Sequence, residues 1–285
     1  MVRFEKKNLK MANIDKKTVE GFGEEWELFD QKNFDGAAFE DLANTYFKLF
    51  PFSQINDSHE GFDMGCGSGR WAKFIAPNVK KLNCIDPSEK ALSVAKLNLA
   101  KFSNCEFECS GVNEVSLEKA SQDFGYSLGV LHHIPDTASG LRACSDLLKS
   151  GAPFILYLYY RFDDKPFWFR MIWKLSDILR VGISRLPFKI KKMVCFLLAC
   201  AVYWPLSRLS MILDKINIDV KNIPLSAYRA QPFYTLVTDA LDRFGTRLEH
   251  RFLKSEIIEM MESAGFRDIE FNDPEPGWIC VGYKI

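Results

Sequence analysis

The sequence predicts an α/β fold: a parallel sheet with helices on both faces, with a helical insertion before the last helix-strand pair. Two observations carry that prediction. Between about residues 59 and 160, short apolar runs of strand length alternate with helical stretches across short connections. About 90 helical, aromatic residues then break the alternation before a closing helix and two strands. At 285 residues, 47% hydrophobic and 26% charged, the chain has the composition of a globular protein, one large domain or a domain with a sizeable insertion.

The elements follow in order. Residues 1–17 form a lysine-rich lead-in. Thr18 to Phe29 sets aromatic residues among acids and glycines. Gly36 to Phe50 has Ala38, Leu42, Tyr46 and Leu49 at helical spacing, and Pro51 ends it. Phe62 to Met64 ends a strand that enters a glycine-rich turn, followed by a helix through Trp71 and Phe74. Lys81 to Ile85 is the second strand, after which Ser88 can cap a long helix. Cys105 to Cys109, Phe124 to Leu128 and Pro153 to Tyr160 are further strands. The helix from Asp136 to Lys149 stops at Ser150 and Gly151. Past the insertion, Lys254 to Ala264 is amphipathic, and Phe266 to Phe271 and Trp278 to Tyr283 close the sheet.

Thirty-seven basic residues balance thirty-seven acidic ones, so net charge gives no reason to expect nucleic acid as a partner. The balance is uneven: Lys165 to Lys215 holds ten basic and two acidic residues. The eight cysteines are scattered without a C-x-x-C pair, and the N-terminus has charges where an export signal needs an apolar run. Reduced thiols and a cytoplasmic location are expected. Four histidines, none at a finger-like distance from a cysteine pair, argue against zinc. The longest apolar run, Met193 to Leu206, is shorter than the roughly 20 residues that span a bilayer.

The functional signal is Asp63-Met-Gly65-Cys-Gly67-Ser-Gly69, a turn where the backbone must bend tightly and admit a ligand. Asp86, at the end of the second strand, can accept hydrogen bonds from both hydroxyls of a ribose. Together they predict a nucleoside-containing cofactor. A dinucleotide site of the NAD type uses G-x-G-x-x-G. Here the spacing is G-x-G-x-G, and an acid precedes it.

This motif, with Cys84-Ile-Asp86-Pro-Ser and Asp123-Phe-Gly-Tyr-Ser-Leu-Gly-Val-Leu-His-His-Ile-Pro-Asp136, resembles the class I S-adenosylmethionine-dependent methyltransferases that act on small molecules. The resemblance covers residues 59–160 and 254–284. It implies a Rossmann-like seven-stranded methyltransferase sheet with S-adenosyl-L-methionine as cofactor and no metal. It places Gly65 and Gly67 under the methionine moiety with Asp63 beside them, Arg70 on the carboxylate, Asp86 on the ribose and Pro87 against adenine. No acid occupies the usual place after the third strand, so Gly111, Val112 and Asn113 are expected at the adenine amino group. Leu128 and Gly129 are expected at the sulfonium. The segment around Trp26 resembles a lead-in that lids the cofactor. The implied organisation is an N-terminal helical lid (1–58), a cofactor-binding core (59–160 and 254–285) and an insertion (161–253) that caps the acceptor.

Methyl transfer from a sulfonium is a direct displacement, and a base is needed only for a protonated nucleophile. His132 and His133 follow the fourth strand at the rim where acceptor and cofactor should meet, and histidine suits proton removal near neutral pH. Packing against the cofactor is the competing role. Tyr159 is a third catalytic candidate. Strand alternation puts Tyr157 and Tyr159 on one face and Tyr160 on the other, and one face is expected to meet the acceptor. Tyr228, Arg229 and Arg243 are acceptor-binding candidates; surface salt bridges are the alternative for the arginines.

For the insertion, three roles compete: an acceptor cap, a homodimer interface, and peripheral contact with anionic lipid. Lys189, Lys191 and Lys192 at a helix start oppose its dipole, which points to a negatively charged ligand or surface. The expected function is methyl transfer to a small-molecule acceptor, with hydroxyl favoured over thiol or amine. The alternative is a non-catalytic nucleoside-binding protein that docks on a membrane or partner through the insertion.

Overall fold

A seven-stranded sheet of order β3-β2-β1-β4-β5-β7-β6 organises the chain. The computed structural model describes residues 13–29, 36–163, 165–272 and 277–285. Most of the lysine-rich lead-in, residues 1–12, lies outside them. Strands β1 (Glu60–Met64), β2 (Lys81–Ile85), β3 (Cys105–Glu108), β4 (Phe124–Leu128) and β5 (Pro153–Tyr159) pair in parallel. The closing strands make the sheet mixed. β7 (Gly277–Lys284) inserts between β5 and β6 (Phe266–Asn272) and runs antiparallel to both. Two strands joined by a short connection must reverse direction to pair.

Helices cover both faces because each buried strand offers apolar residues to either side. On one face, α2 (Ala37–Tyr46), α3 (Ala72–Ile75) and α4 (Glu89–Asn98) share a core with Phe47, Trp71, Ile75, Leu99 and Tyr126. On the other, α5 (Thr137–Leu147) and α10 (Lys254–Ser263) close over Phe62, Met64, Leu141, Phe154 and Met261. Ser88 and Asp136 cap α4 and α5 through their side chains. α1 (Lys16–Leu28) lies across α4 and reaches the insertion.

The insertion has its own small core. α9 (Phe233–Gly245) supplies Leu236, Ala240, Leu241 and Phe244, and these meet Cys195, Ala199 and Tyr203. Those three belong to α7 (Phe188–Leu198) and the π-helical turn Ala199–Tyr203, which runs directly into α8 (Trp204–Lys215). Pro205 therefore does not break this helix. Its ring would meet the carbonyl four residues back, at Ala201, and the widened π turn is where that carbonyl sits. α6 (Phe167–Ile183) precedes this long helix and packs on α9.

Candidate active site

β1 and β4 are neighbours although β2 follows β1, so connections diverge between them and leave a crevice at their C-terminal ends. The glycine turn occupies that crevice. Gly65 and Gly67 have φ of +82° and +54°, a region costly for other residues. A Cβ on Gly65 would lie 2.4 Å from the Val130 methyl groups, and one on Gly67 would lie 3.0 Å from Nε1 of Trp26. The Gly67 amide donates to Asp86 Oδ2 (3.0 Å) and the Ser88 amide to Oδ1 (2.8 Å). Burial outweighs these bonds and pushes the Asp86 carboxyl up to about 6.

A recess starts at Gly65 and Pro87. Ser110, Gly111 and Val112 form one wall; Val130, Leu131 and His133 form the other; Asn13 to Asp15 lie across it. Asn113 does not take part. Its side chain accepts from Asn13 Nδ2 (2.9 Å) and donates to Ser139 (3.0 Å), so it fastens the N-terminal segment to the rim. Asn13 completes that fastening with two bonds to the Asp136 backbone, each 2.8 Å. The recess fits a nucleoside cofactor. The cradle has room only for glycine, Asp86 stands beside it, and Ser110 Oγ and Arg70 Nε are buried without a protein partner. Asp63, at the end of β1, has both carboxylate oxygens buried and unbonded, and desolvation raises it well above the usual carboxylate range.

Leu128 ends β4 in a buried position. Gly129 follows at φ +81°, and a Cβ there would sit 3.7 Å from the Tyr157 ring. The histidine pair lies in the same place. His133 Nδ1 bonds the Leu248 carbonyl at 2.8 Å, and its ring packs on Phe22 of α1 with centroids 5.0 Å apart. His132 is fully buried, stacked on Tyr159 at 3.9 Å, with neither ring nitrogen bonded. Burial and the neighbouring His133 hold it well below the ordinary histidine range, so it is neutral at pH 7.

A methyltransferase-domain family model matches residues 62–156, the stretch that contains the glycine turn, Asp86 and the histidine pair. Ubiquinone biosynthesis O-methyltransferases from Acinetobacter baylyi and Nitrosospira multiformis are each 32% identical, over 136 and 123 residues. Those alignments cover 40% and 38% of this chain and 57% and 51% of the two proteins; the chain spans about half the length of the curated relatives it matches. S-adenosylmethionine-dependent methyltransferases of known structure share its fold. One from Thermotoga maritima aligns with a TM-score of 0.51 at 14% identity, over 94% of this chain and 100% of that one. One from Methanosarcina mazei aligns at 0.50 and 16%, over 83% and 98%. Residues 62–156 therefore match a methyltransferase domain, and the chain shares the fold of S-adenosylmethionine-dependent methyltransferases.

The flank of the recess toward β5 and α9 is rich in tyrosine. Tyr157 meets Tyr46 edge-on at 5.2 Å, and Tyr46 lies against Trp71. The Tyr159 hydroxyl donates to Asp242 Oδ2 (2.6 Å). Tyr228 hydrogen-bonds Asp239, and Tyr203 packs beside Tyr228 at 5.8 Å. Burial and the charge of Asp242 push Asp239 up to about 6. Glu25 of α1 joins these carboxylates and is raised well above its ordinary range, by burial first and then by Asp242 and Asp239. The Arg70 charge acts on both Glu25 and Asp239.

Sequence reasoning missed Asp239, Asp242, Glu25, Tyr46 and Tyr203. The available signal was the i, i+3 spacing of Asp239 and Asp242 beside the apolar stripe of α9. Three acceptor-site expectations need correction. Tyr160 points to the opposite sheet face, packed on Trp278 and Phe162, as alternation requires. Arg243 is held by Glu249 (3.0 Å) and Asp177 (3.3 Å), and its fork is spent on them. Arg229 forms a surface pair with Asp214 (3.0 Å).

Proposed function

We propose that the chain transfers a methyl group from S-adenosylmethionine to the hydroxyl of a small molecule bound between β5 and α9. The observation that carries this reading is the set of tyrosines and carboxylates, Tyr159 with Asp242 and Tyr228 with Asp239, beside the glycine turn. Asp86 would hold the ribose, the Gly65–Gly67 backbone the methionine chain, and Arg70 its carboxylate. The bound cofactor supplies a methyl group on a positively charged sulfur. A hydroxyl arrives protonated, so the chain must remove that proton. Asp239, at about 6, is ionised at neutral pH yet basic enough to take it. Tyr159, fixed by Asp242, and Tyr157 orient the acceptor and exclude water. The O-methyltransferase names of the relatives support a hydroxyl acceptor.

Glu25 in the same cluster favours a second reading, an amine acceptor, because three carboxylates near aromatic rings suit a cation. A single assay separates the readings. S-adenosylhomocysteine is quantified with phenols and catechols, with amines and with small thiols, and the product is identified by mass. Turnover on the hydroxyl set supports the first reading, and turnover on amines alone replaces it with the second. Cofactor binding without turnover on any acceptor would leave a nucleoside-binding protein that is not an enzyme.

A further inference from the structure

The outer faces of α6 and the α7–α8 helix are apolar where a water-soluble cap should be polar. α6 is amphipathic in the inverted sense. Its one buried residue is Arg180, which bonds Asp177 and the carbonyls of Thr246 and Arg247. Phe167 (71% exposed), Ile178 (69%) and Leu179 meanwhile face outward. The long helix Phe188–Lys215 repeats the pattern. Mean hydropathy reaches 1.6 over an 18-residue window of it, yet only 22% of that window is buried. Cys195, Ala199 and Tyr203 seat it on α9, which leaves Met193, Leu197 and Ile212 outside. An exposed apolar surface of this extent marks a contact.

We propose that this surface docks in the interface of a bilayer rich in anionic lipid, with both helices lying in the membrane plane. Charge identifies the occupant. Arg170, Lys174, Lys189 and Lys192 on the same two helices, and Arg185 in the turn between them, are exposed, with no ion pair among the described residues. The two acids nearby are already occupied, Asp177 by Arg180 and Arg243, and Asp214 by Arg229. Lys191, like Arg180 and Arg208, instead turns inward, to the Gly245 carbonyl (3.0 Å). Apolar side chains with flanking cations match an acyl boundary beneath negative headgroups. A second copy docked on the same face would bring like charges together. Crossing the bilayer would strip Cys195, Ala199 and Tyr203 from their core, so the helix lies on the membrane. The inference stands independently of the acceptor reading.

Flotation of the full chain with vesicles tests it. Binding to vesicles of phosphatidylcholine with 30% phosphatidylglycerol is expected to exceed binding to pure phosphatidylcholine by roughly tenfold or more, and to weaken in high salt. Trp168 and Trp204, both exposed, should shift their emission to the blue on binding. The pair Lys189→Ser and Lys192→Ser should loosen binding roughly tenfold or more. The pair Ile178→Gln and Leu197→Gln, at positions that touch no core, should abolish the blue shift while circular dichroism stays that of the parent. Failure of the parent chain to float with anionic vesicles would overturn the proposal. So would a dimer by light scattering that Leu197→Gln dissociates, since a second copy would then be the occupant.

Discussion

The Tyr159 hydroxyl donates to Asp242 Oδ2 at 2.6 Å, a bond between the last parallel strand of the core and the last helix of the insertion. Burial, then the Asp242 charge, hold the phenol well above its usual range, so the proton stays on the tyrosine. The bond makes the flank proposed for the acceptor a joint product of core and insertion. Tyr159→Phe leaves the buried side of Asp242 without its donor, a loss of about 1–3 kcal/mol in stability. Turnover should fall roughly tenfold or more with the affinity for S-adenosylhomocysteine unchanged. Calorimetric binding beside steady-state kinetics checks the separation.

Asp239→Asn tests the base. Asp239 lies at about 6, so the parent's turnover should rise with pH through that region and level off above it as the carboxylate ionises. The asparagine variant should lose roughly 10²–10⁴-fold in kcat and lack this rise. His132→Gln separates the two candidates. A rise at lower pH retained in Asp239→Asn and lost in His132→Gln would move the base to the histidine, which burial holds well below its ordinary range.

Asp86 makes the cofactor side pH-dependent in the same sense. In its proposed role the ionised form accepts from ribose hydroxyls, and burial holds its proton up to about 6. Affinity for S-adenosylhomocysteine should therefore be constant above pH 7 and fall as the pH drops through 6. Asp86→Ala should weaken binding by about 1.5–3 kcal/mol at pH 7.5 and flatten this profile. Isothermal titration at pH 5, 6 and 7.5 reads both effects.

The two arginines expected at the acceptor should separate by stability instead. Glu249 has a side chain only 2% exposed and is paired with Arg243 and Arg251. Arg243→Gln removes one of its two partners and should cost about 2–4 kcal/mol, below the full loss of a buried pair because Arg251 remains. Arg229→Gln breaks an exposed pair and should cost at most about 1 kcal/mol. Denaturant melts of both variants decide it.

The glycine turn and the Asp86 contacts were legible because their constraints are local. Gly65, Gly67 and Asp86 lie within one strand-turn-helix and the next strand tip, and the backbone geometry there admits few alternatives. The acceptor half was not, because its parts meet only in the fold. Tyr46, Tyr157, Tyr228 and Asp239 come from four separate elements, and nothing in their spacing joins them. Arg243 read as an acceptor grip because its partners, Asp177 and Glu249, are set by how α6 and the segment after α9 pack.

Gly23 offers the closest test of the lid. It lies in the middle of α1, over the start of α4, and a Cβ there would fall 2.5 Å from Ser88 Oγ and 3.3 Å from Lys90. Ser88 cannot retreat freely, since its hydroxyl caps α4 at the Ala91 amide and its own amide holds Asp86. Gly21, one half-turn earlier, would meet nothing within 4 Å. Alanine at either position raises the intrinsic helix propensity of α1 by about 1 kcal/mol. Only at Gly23 does it also push α1 off α4, and with it Trp26 off Gly67 and Phe22 off His133. Gly23→Ala should therefore speed dissociation of S-adenosylhomocysteine by roughly tenfold, a change of about 1.4 kcal/mol, with the melting temperature of the free protein little altered. Gly21→Ala should leave dissociation unchanged or slower. Stopped-flow release following Trp26 fluorescence compares them, and equal release rates in the two variants would remove α1 from the cofactor's exit path.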